Sequence, residues 1–269
     1  MSELVDVVVY GSAGRMGQAV VRAVLESKKA RLATALVRPG SGLADEPLDR
    51  VFGALPRNVD FSTSLDPDVE CDVLVDFSGP NSFDAALALA IERKIAFVSG
   101  TTGLRDEQHA ALDRAAHSIP VLWSANFSLG VAMMMRVVRR IAAALPDWDC
   151  DIVEMHHARK QDAPSGTALK LGQAIAEARG QNLDAQAAYT RHGQIGPRKS
   201  GEIGFATLRG GDIVGEHTAI FATDGERIEL THRAGDRDIF ARGALAAALW
   251  IARRDPGRYS FDDVLAPSA

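Results

Sequence analysis

Cysteine is scarce in this 269-residue chain, occurring only as Cys71 and Cys150. Two thiols in no chelating pattern exclude a disulfide framework and a cysteine metal centre, so both are read as reduced, small, buried side chains. Long apolar runs are missing too, and none approaches the ~20 residues of a membrane span. Basic charge is in short supply, with 30 Lys and Arg against 35 Asp and Glu and a formal net charge of -5. A duplex-binding surface needs a concentrated basic face, so general nucleic-acid binding is excluded and any anionic ligand must meet a local positive cluster. The opening Met1-Ser2-Glu3-Leu4-Val5-Asp6 has acids where a signal peptide carries basic residues, which predicts a cytoplasmic protein. No internal repeat or low-complexity tract stands out. With 46% hydrophobic and 24% charged residues, one or two soluble domains are expected.

What is present alternates. The valine-rich run from Val5 to Tyr10 leads through the glycine-rich stretch 11–17 into a segment of helical spacing, 18–26. Strand-like runs follow at 31–37, 72–77, 95–99 and 120–123, with helices predicted over 82–92 and 105–117. This alternation implies a parallel sheet covered on both faces. After Asn126-Phe127-Ser128-Leu129-Gly130 the pattern changes to a long apolar helix, 131–145, and a strand, 150–156. The stretch 174–186 is alanine-rich and helical in character. Alternating strands at 203–209, 215–222 and 226–232, with turns at Gly210-Gly211-Asp212 and Thr223-Asp224-Gly225, read as a mostly antiparallel or mixed sheet. A helix over 240–253 closes the pattern.

Gly11-Ser12-Ala13-Gly14-Arg15-Met16-Gly17 fits Gly-x-x-Gly-x-x-Gly between the first strand and the first helix. Gly11 and Gly14 give a tight turn and close approach of a pyrophosphate, while Gly17 lets helix and strand pack closely. Gly11, Ser12, Ala13, Gly14, Arg15 and Met16 are the candidate dinucleotide-binding residues. The second strand ends in Val37 and Arg38, where an NAD-specific site usually carries an acid for the ribose hydroxyls. With no carboxylate to repel a 2'-phosphate and with Arg38 and Arg15 able to bind one, NADPH is expected to be preferred, with NADH as the second cofactor. Arg38 as a solvated loop residue is the competing reading. Gly100, Thr101 and Thr102, and Ser124, Ala125, Asn126 and Phe127, follow strands at the end where ligands sit in parallel sheets, and are candidates to line the nicotinamide.

Proton-moving groups concentrate in Glu154-Met155-His156-His157-Ala158-Arg159-Lys160-Gln161-Asp162-Ala163-Pro164-Ser165-Gly166-Thr167-Ala168. Adjacent histidines face opposite sides of a strand and diverge on a helix, and the His-Glu-x-x-His order of a zinc helix is absent, so no metal site is expected. Ser165 or Thr167 can cap a helix running to Ala178, whose free amides and positive dipole end suit a carboxylate.

The same segment resembles the signature of the dihydrodipicolinate reductases, the enzymes also called 4-hydroxy-tetrahydrodipicolinate reductases. The resemblance extends to residues 11–17, to Gly100-Thr101-Thr102-Gly103, to Ala125-Asn126-Phe127-Ser128, to Ile203-Gly204-Phe205-Ala206-Thr207 and to residues 211–218. It implies reduction of a small cyclic dicarboxylate of the diaminopimelate and lysine pathway. It implies His156 as proton donor and acceptor, Lys160 as proton donor, and His157, Ser165, Gly166 and Thr167 as substrate-binding positions. The implied fold is α/β: a Rossmann-like parallel-sheet dinucleotide-binding domain, residues 1–126 and 241–269, and an α+β domain with a mixed or antiparallel sheet, residues 127–240, that binds substrate and builds a homotetramer. Members with an acid at the position of Val37 use NADH well, and this chain departs from them there. Another NAD(P)-dependent amine or amino-acid dehydrogenase of the same plan, or a non-catalytic nucleotide-binding sensor, are the alternatives.

Overall fold

The computed structural model of the chain describes residues 4–53 and 59–266. In chain order the elements begin β1 (Val5–Tyr10), α1 (Arg15–Leu25), β2 (Ala30–Leu36), α2 (Asp49–Phe52), β3 (Phe61–Ser62), β4 (Val73–Asp76), α3 (Pro80–Arg93), β5 (Ala96–Ser99), α4 (Asp106–Ala115) and β6 (Pro120–Trp123). They continue α5 (Leu129–Ala144), β7 (Asp149–His156), α6 (Gly166–Ala178), α7 (Leu183–Gln186), β8 (Ala187–Ala188), β9 (Ile203–Arg209), β10 (Gly215–Thr223) and β11 (Glu226–Ala234). The last are α8 (Asp238–Ile251) and β12 (Gly257–Tyr259), followed by a 3-10 turn at Asp263–Leu265.

Two compact units result. One contains the residues up to Ser128 and those from Asp238 onward, and the other runs from Leu129 to Arg237. The first is built on a seven-stranded sheet in the order β12-β6-β5-β4-β1-β2-β3, with every pairing parallel. Parallel strands are buried on both faces and therefore read as continuous apolar runs, which is why Val7, Val8 and Val9 of β1 and Val73, Leu74 and Val75 of β4 are fully buried. Phe83, Leu87 and Leu112 of the flanking helices pack against Val8, Leu74, Phe97 and Val121 in a single cluster. The C-terminal helix α8 returns to this unit and buries a small-residue face, Ala241, Gly243, Ala244, Ala247 and Ala248.

The second unit carries a five-stranded mixed sheet, β11-β10-β7-β9-β8. The pairings β11–β10 and β10–β7 are antiparallel, while β7–β9 and β9–β8 are parallel. Alternation along β7 and β10 turns Cys150, Ile152, Ala219 and Phe221 onto one face, where Val138 of α5 and Leu171 and Ile175 of α6 cover them.

Two readings of the sequence are corrected. The alanine-rich stretch is not one helix: α6 stops at Ala178, Gly180 takes a positive φ of 66°, and a separate turn of helix begins at Leu183. Alanine favours helix at every position, but a residue in the left-handed region ends it. Cys71 is half-buried, whereas Cys150 is buried and its thiol is pushed up to about 12 by that burial.

Gly243 shows how tightly α8 is seated. A Cβ there would lie 1.7 Å from the Phe127 carbonyl oxygen and 3.3 Å from the Phe261 ring. The variant Gly243→Ala is expected to lose about 1–3 kcal/mol through overpacking. The loss would be read as a lowered urea midpoint, and an unchanged midpoint would show that α8 can shift without cost.

Candidate functional site

The first candidate region lies where β1 enters α1. Gly11 has φ of 81°, and a Cβ on it would lie 2.6 Å from the Ser78 Cα. Gly17 is closed to any side chain, because its Cβ would fall 2.1 Å from the Gly11 carbonyl oxygen. The turn is tied to β2 by the Gly11 and Ser12 amides and by Ser12 Oγ, all donating to the Leu36 carbonyl at 2.8–3.0 Å. Ser12 is therefore buried, whereas Gly14, at the helix N-cap, and Arg15 are exposed and Ala13 and Met16 are half-buried. An exposed helix start after such a turn presents amides and a positive dipole end to an anion. Arg38, just beyond β2, is exposed, and Val37 before it is buried.

The loops after β4 and β5 are held by a buried carboxylate that sequence reading passed over. Asp76, fully buried at the end of β4, accepts from Ser78 N at 3.0 Å, Ser78 Oγ at 2.6 Å, Ser99 Oγ at 2.7 Å and Thr101 Oγ1 at 2.7 Å. Trp123 Nε1 donates to the Thr101 carbonyl at 2.8 Å and so ties the ends of β5 and β6 together. Gly100 admits the Phe77 ring, which a Cβ would meet at 2.1 Å. Thr101 is buried, Thr102 exposed. In the next loop Ser124 Oγ donates to the Asn126 carbonyl at 2.7 Å, and Asn126 Oδ1 accepts from Ser128 N at 2.8 Å. Ala125 is exposed there, and Phe127 is buried between Phe77 and Phe261.

The second region is organised by Glu154. This carboxylate, 1% exposed, points inward from β7. Its Oε2 accepts from His156 Nδ1 at 2.6 Å and Arg209 Nη1 at 2.9 Å. Its Oε1 accepts from Arg209 Nη2 at 2.8 Å, Ser165 N at 3.0 Å and Thr207 Oγ1 at 3.3 Å. Burial alone pushes the Glu154 carboxyl up, but the bonds from Arg209, His156 and the Ser165 amide together hold it below the usual carboxylate range. For His156 the balance runs the other way. Burial, joined by the positive charges of Lys160 and Arg209, lowers it despite the neighbouring Glu154, so the ring is neutral and still donates through Nδ1.

Ser165 is the N-cap of α6, its Oγ accepting from Ala168 N at 3.2 Å. The same oxygen lies 3.0 Å from Nε2 of His217, a histidine of β10 that is 4% exposed and stacks edge-on to His156 with ring centroids 5.2 Å apart. Ser165 is thus held from both sides and buried, while Gly166 is exposed and Thr167 half-buried at the helix start. Lys160 Nζ lies 2.7 and 2.9 Å from the two oxygens of the exposed Asp162. The intervening loop is pinned to β9 and the turn after it: Arg209 Nη2 donates to the Asp162 carbonyl at 2.7 Å and Ala158 N to Gly211 O at 3.2 Å. His157 is half-buried, its Nδ1 enclosed without a hydrogen-bond partner among the described residues.

Of the residues singled out from the sequence, His156, Lys160 and Ser165 are thereby joined in one hydrogen-bonded network. Glu154, Arg209 and His217 were missed as members. One local signal existed for Glu154: two residues before His156 on a strand, it shares a face with that ring. Arg209 and His217 come from β9 and β10, where they pair with His156 and Glu154 respectively, and only the strand order brings them in.

The network carries a pH dependence. Burial first, then repulsion from the neighbouring His156 ring whenever that ring too takes up a proton, lowers His217 from the ordinary 6.5 to about 4, so between these values the unfolded chain binds a proton that the native chain does not. Stability from this group is complete above pH 6.5 and falls as the pH drops toward 4. His156 and His232, both lowered by burial, add slope of the same sign. The variant His217→Gln, which cannot titrate, should show a smaller loss of urea midpoint between pH 7 and pH 5 than the unmodified chain. Equal losses would refute the assignment.

Comparison with known proteins bears on both regions. The family profile described as dihydrodipicolinate reductase, N-terminus, matches residues 5–127, and that described as dihydrodipicolinate reductase, C-terminus, matches residues 130–265. A curated 4-hydroxy-tetrahydrodipicolinate reductase of Cereibacter sphaeroides is 45% identical over 267 residues, covering 98% of this chain and 99% of the relative. That of Chromohalobacter salexigens is 44% identical over 264 residues, covering 96% and 97%. Among solved structures, a dipicolinate-bound dihydrodipicolinate reductase from Paenisporosarcina sp. TG-14 superposes with a TM-score of 0.75 at 24% identity, covering 97% of this chain and 99% of the other. A myo-inositol 2-dehydrogenase from Lactobacillus plantarum reaches 0.60 at 10% identity, covering 98% and 94%, which is a likeness of fold alone. With profiles matching both halves and relatives 44–45% identical over nearly the full length, the chain belongs to the dihydrodipicolinate reductase family.

Proposed function

We propose that the chain reduces 4-hydroxy-tetrahydrodipicolinate to tetrahydrodipicolinate, in diaminopimelate and lysine biosynthesis, with a reduced nicotinamide dinucleotide. Family membership is joined here by one observation that carries the reading: His156, the Lys160 loop and the α6 helix start are all tied to Glu154. A sensor of nucleotide would need no such assembly of proton-moving groups in its second unit.

The residues of the first unit fit the nucleotide. A turn that a Cβ at Gly11 or Gly17 would fill, followed by an exposed helix start, is the cradle a pyrophosphate requires. Gly11, Ser12, Ala13, Gly14, Arg15 and Met16 would hold it there, Gly11 and Ser12 by shaping the turn, since their amides and the Ser12 hydroxyl are already bonded to the Leu36 carbonyl. Gly100, Thr101, Thr102 and residues 124–127 would line the nicotinamide. When bound, the reduced nicotinamide supplies a hydride, chemistry that belongs to the cofactor.

The second unit supplies the rest. Loss of the 4-hydroxyl as water leaves a conjugated imine; hydride addition to it leaves negative charge and a carbon that needs a proton, and the Lys160 ammonium both stabilises that charge and donates the proton. The Gly166 amide, with Thr167, receives a carboxylate at the positive end of α6, and His157 and the Ser165 cap complete that side of the cradle. His156 moves a proton at its ring. The reading extends to four chains assembling through the second sheet, supported by the face opposite α5 and α6, where Val153, Met155 and Ile220 are only half-buried and Leu208 is 43% exposed.

Preference for NADPH is part of the same proposal, supported by the absence of an acid at the end of β2 and by exposed Arg38 and Arg15. The ratio of kcat/KM for NADPH over NADH should exceed one and fall about 10-fold or more in Arg38→Ala, the scale of one charge-assisted contact. A clear NADH preference in the unmodified chain would sink this part. For the chemistry, Lys160→Ala should lower kcat by about 10²–10⁴-fold while nucleotide affinity, measured by fluorescence titration, stays within about twofold. An unchanged kcat would remove Lys160 from the reaction.

A further inference from the structure

We propose that Glu154 is a positioning residue for the reduction, one carboxylate that fixes through one oxygen which nitrogen of His156 works and through the other where the α6 helix start stands. The inference rests on the reading of His156 as a proton-transfer group.

An ionised carboxylate can only accept. Its 2.6 Å contact with His156 Nδ1 therefore requires a proton on Nδ1, and in a neutral ring the free electron pair is then on Nε2. The alternative tautomer would face a nitrogen lone pair against a buried negative oxygen. The ring is flanked on one side by His217, packed edge-on, and on another by Gly215, where a Cβ would lie 3.0 Å from Nε2, so the glycine leaves the room that this ring occupies. The other carboxylate oxygen takes the Ser165 amide, which sets the first residue of the carboxylate cradle. Arg209, bonded to both oxygens, neutralises the charge and carries the constraint to the Asp162 carbonyl in the Lys160 loop. Proton-transfer group, cradle and lysine loop thus share one anchor.

A merely structural ion pair between Glu154 and Arg209 would make no demand on the His156 tautomer, and the variant Glu154→Gln separates the two. Its amide oxygen is best placed at the Oε1 position, where Arg209 Nη2, Ser165 and Thr207 all donate, so its NH2 takes the Oε2 position, costs Arg209 Nη1 its acceptor, faces His156 Nδ1 and forces the proton to Nε2. The Ser165 amide keeps its acceptor.

The test is histidine ¹⁵N NMR of the full chain, with the His156 signal assigned by its disappearance in His156→Asn, together with steady-state kinetics. The unmodified chain should show the Nδ1-protonated tautomer and Glu154→Gln the Nε2-protonated one. In that variant kcat should fall about 10²-fold or more, with the dicarboxylate KM changed less than about threefold, the pattern expected when an orienting carboxylate becomes an amide. An Nε2-protonated His156 in the unmodified chain overturns the proposal, whether or not Glu154→Gln folds, and so does an unaltered tautomer or kcat in that variant. An unmodified chain with the Nδ1 proton but no reductase activity overturns the proposed reaction and leaves the positioning standing.

Discussion

The buried Glu154 carboxylate is the constraint on which the geometry of the second unit's candidate site depends. Enclosing a single unpaired carboxylate costs several kcal/mol, so a residue 1% exposed must be fully bonded to stay ionised. Five donors meet it, two of them from a guanidinium whose planar fork matches both oxygens. Hydrogen bonds to charged groups are worth roughly 1.5–3 kcal/mol each, and together they offset the burial, which is why this carboxyl lies below its usual range rather than above it. Each donor is thereby located. Removing the carboxylate would free a histidine ring, a helix start and an arginine at once.

The first unit uses a carboxylate differently. Asp76, at the end of β4, is met by three hydroxyls and an amide from the loops after β4 and β5 rather than by a guanidinium fork. Neutral donors stabilise a buried anion less, but each sits at a strand end and is already ordered by the parallel sheet, so little additional freedom is lost in meeting it. The outcome is a set of hydrogen-bonded loops at the carboxyl ends of β4 and β5, where ligands gather in sheets of this kind. The Gly100 to Phe77 packing adds to it: the ring occupies the space that any side chain at 100 would need.

How much of this was readable in advance follows from the range of each interaction. The glycine turn, the alternation of strands and helices and a cap at Ser165 or Thr167 are local patterns legible from spacing, and between the two hydroxyls the structure has Ser165 as the cap. Residues 174–186 misled because alanine content speaks of helix propensity but not of the left-handed conformation at Gly180. Glu154, Arg209 and His217 stood in view without roles, because their meeting depends on β7 lying between β9 and β10. Separations of 55 residues for Glu154 and Arg209, and 52 for Ser165 and His217, correspond to no periodicity of helix or strand. Register in a mixed sheet is a tertiary fact, set by which faces bury apolar side chains.

In the proposed reaction a lysine rather than a histidine is the proton source, and the surroundings of the two kinds of group give a physical reason. A general acid must hold its proton until charge develops on the substrate. His156 and His217 are enclosed, and burial is the first cause lowering both, so at neutral pH each ring carries one proton only. For His156 that proton is bonded to Glu154, and transferring it would strand a buried carboxylate without one of its donors. Lys160 is under no such constraint. Its ammonium is partnered by Asp162, an exposed carboxylate held below its usual range by that bond, and surrendering one of three N–H donors leaves Asp162 to water rather than to a dry interior. The buried histidines are thus suited to holding geometry and accepting a proton at a defined nitrogen. Lys160, joined to the same network through Asp162 and Arg209, is the proposed proton source, and its ammonium faces an exposed carboxylate rather than the buried one.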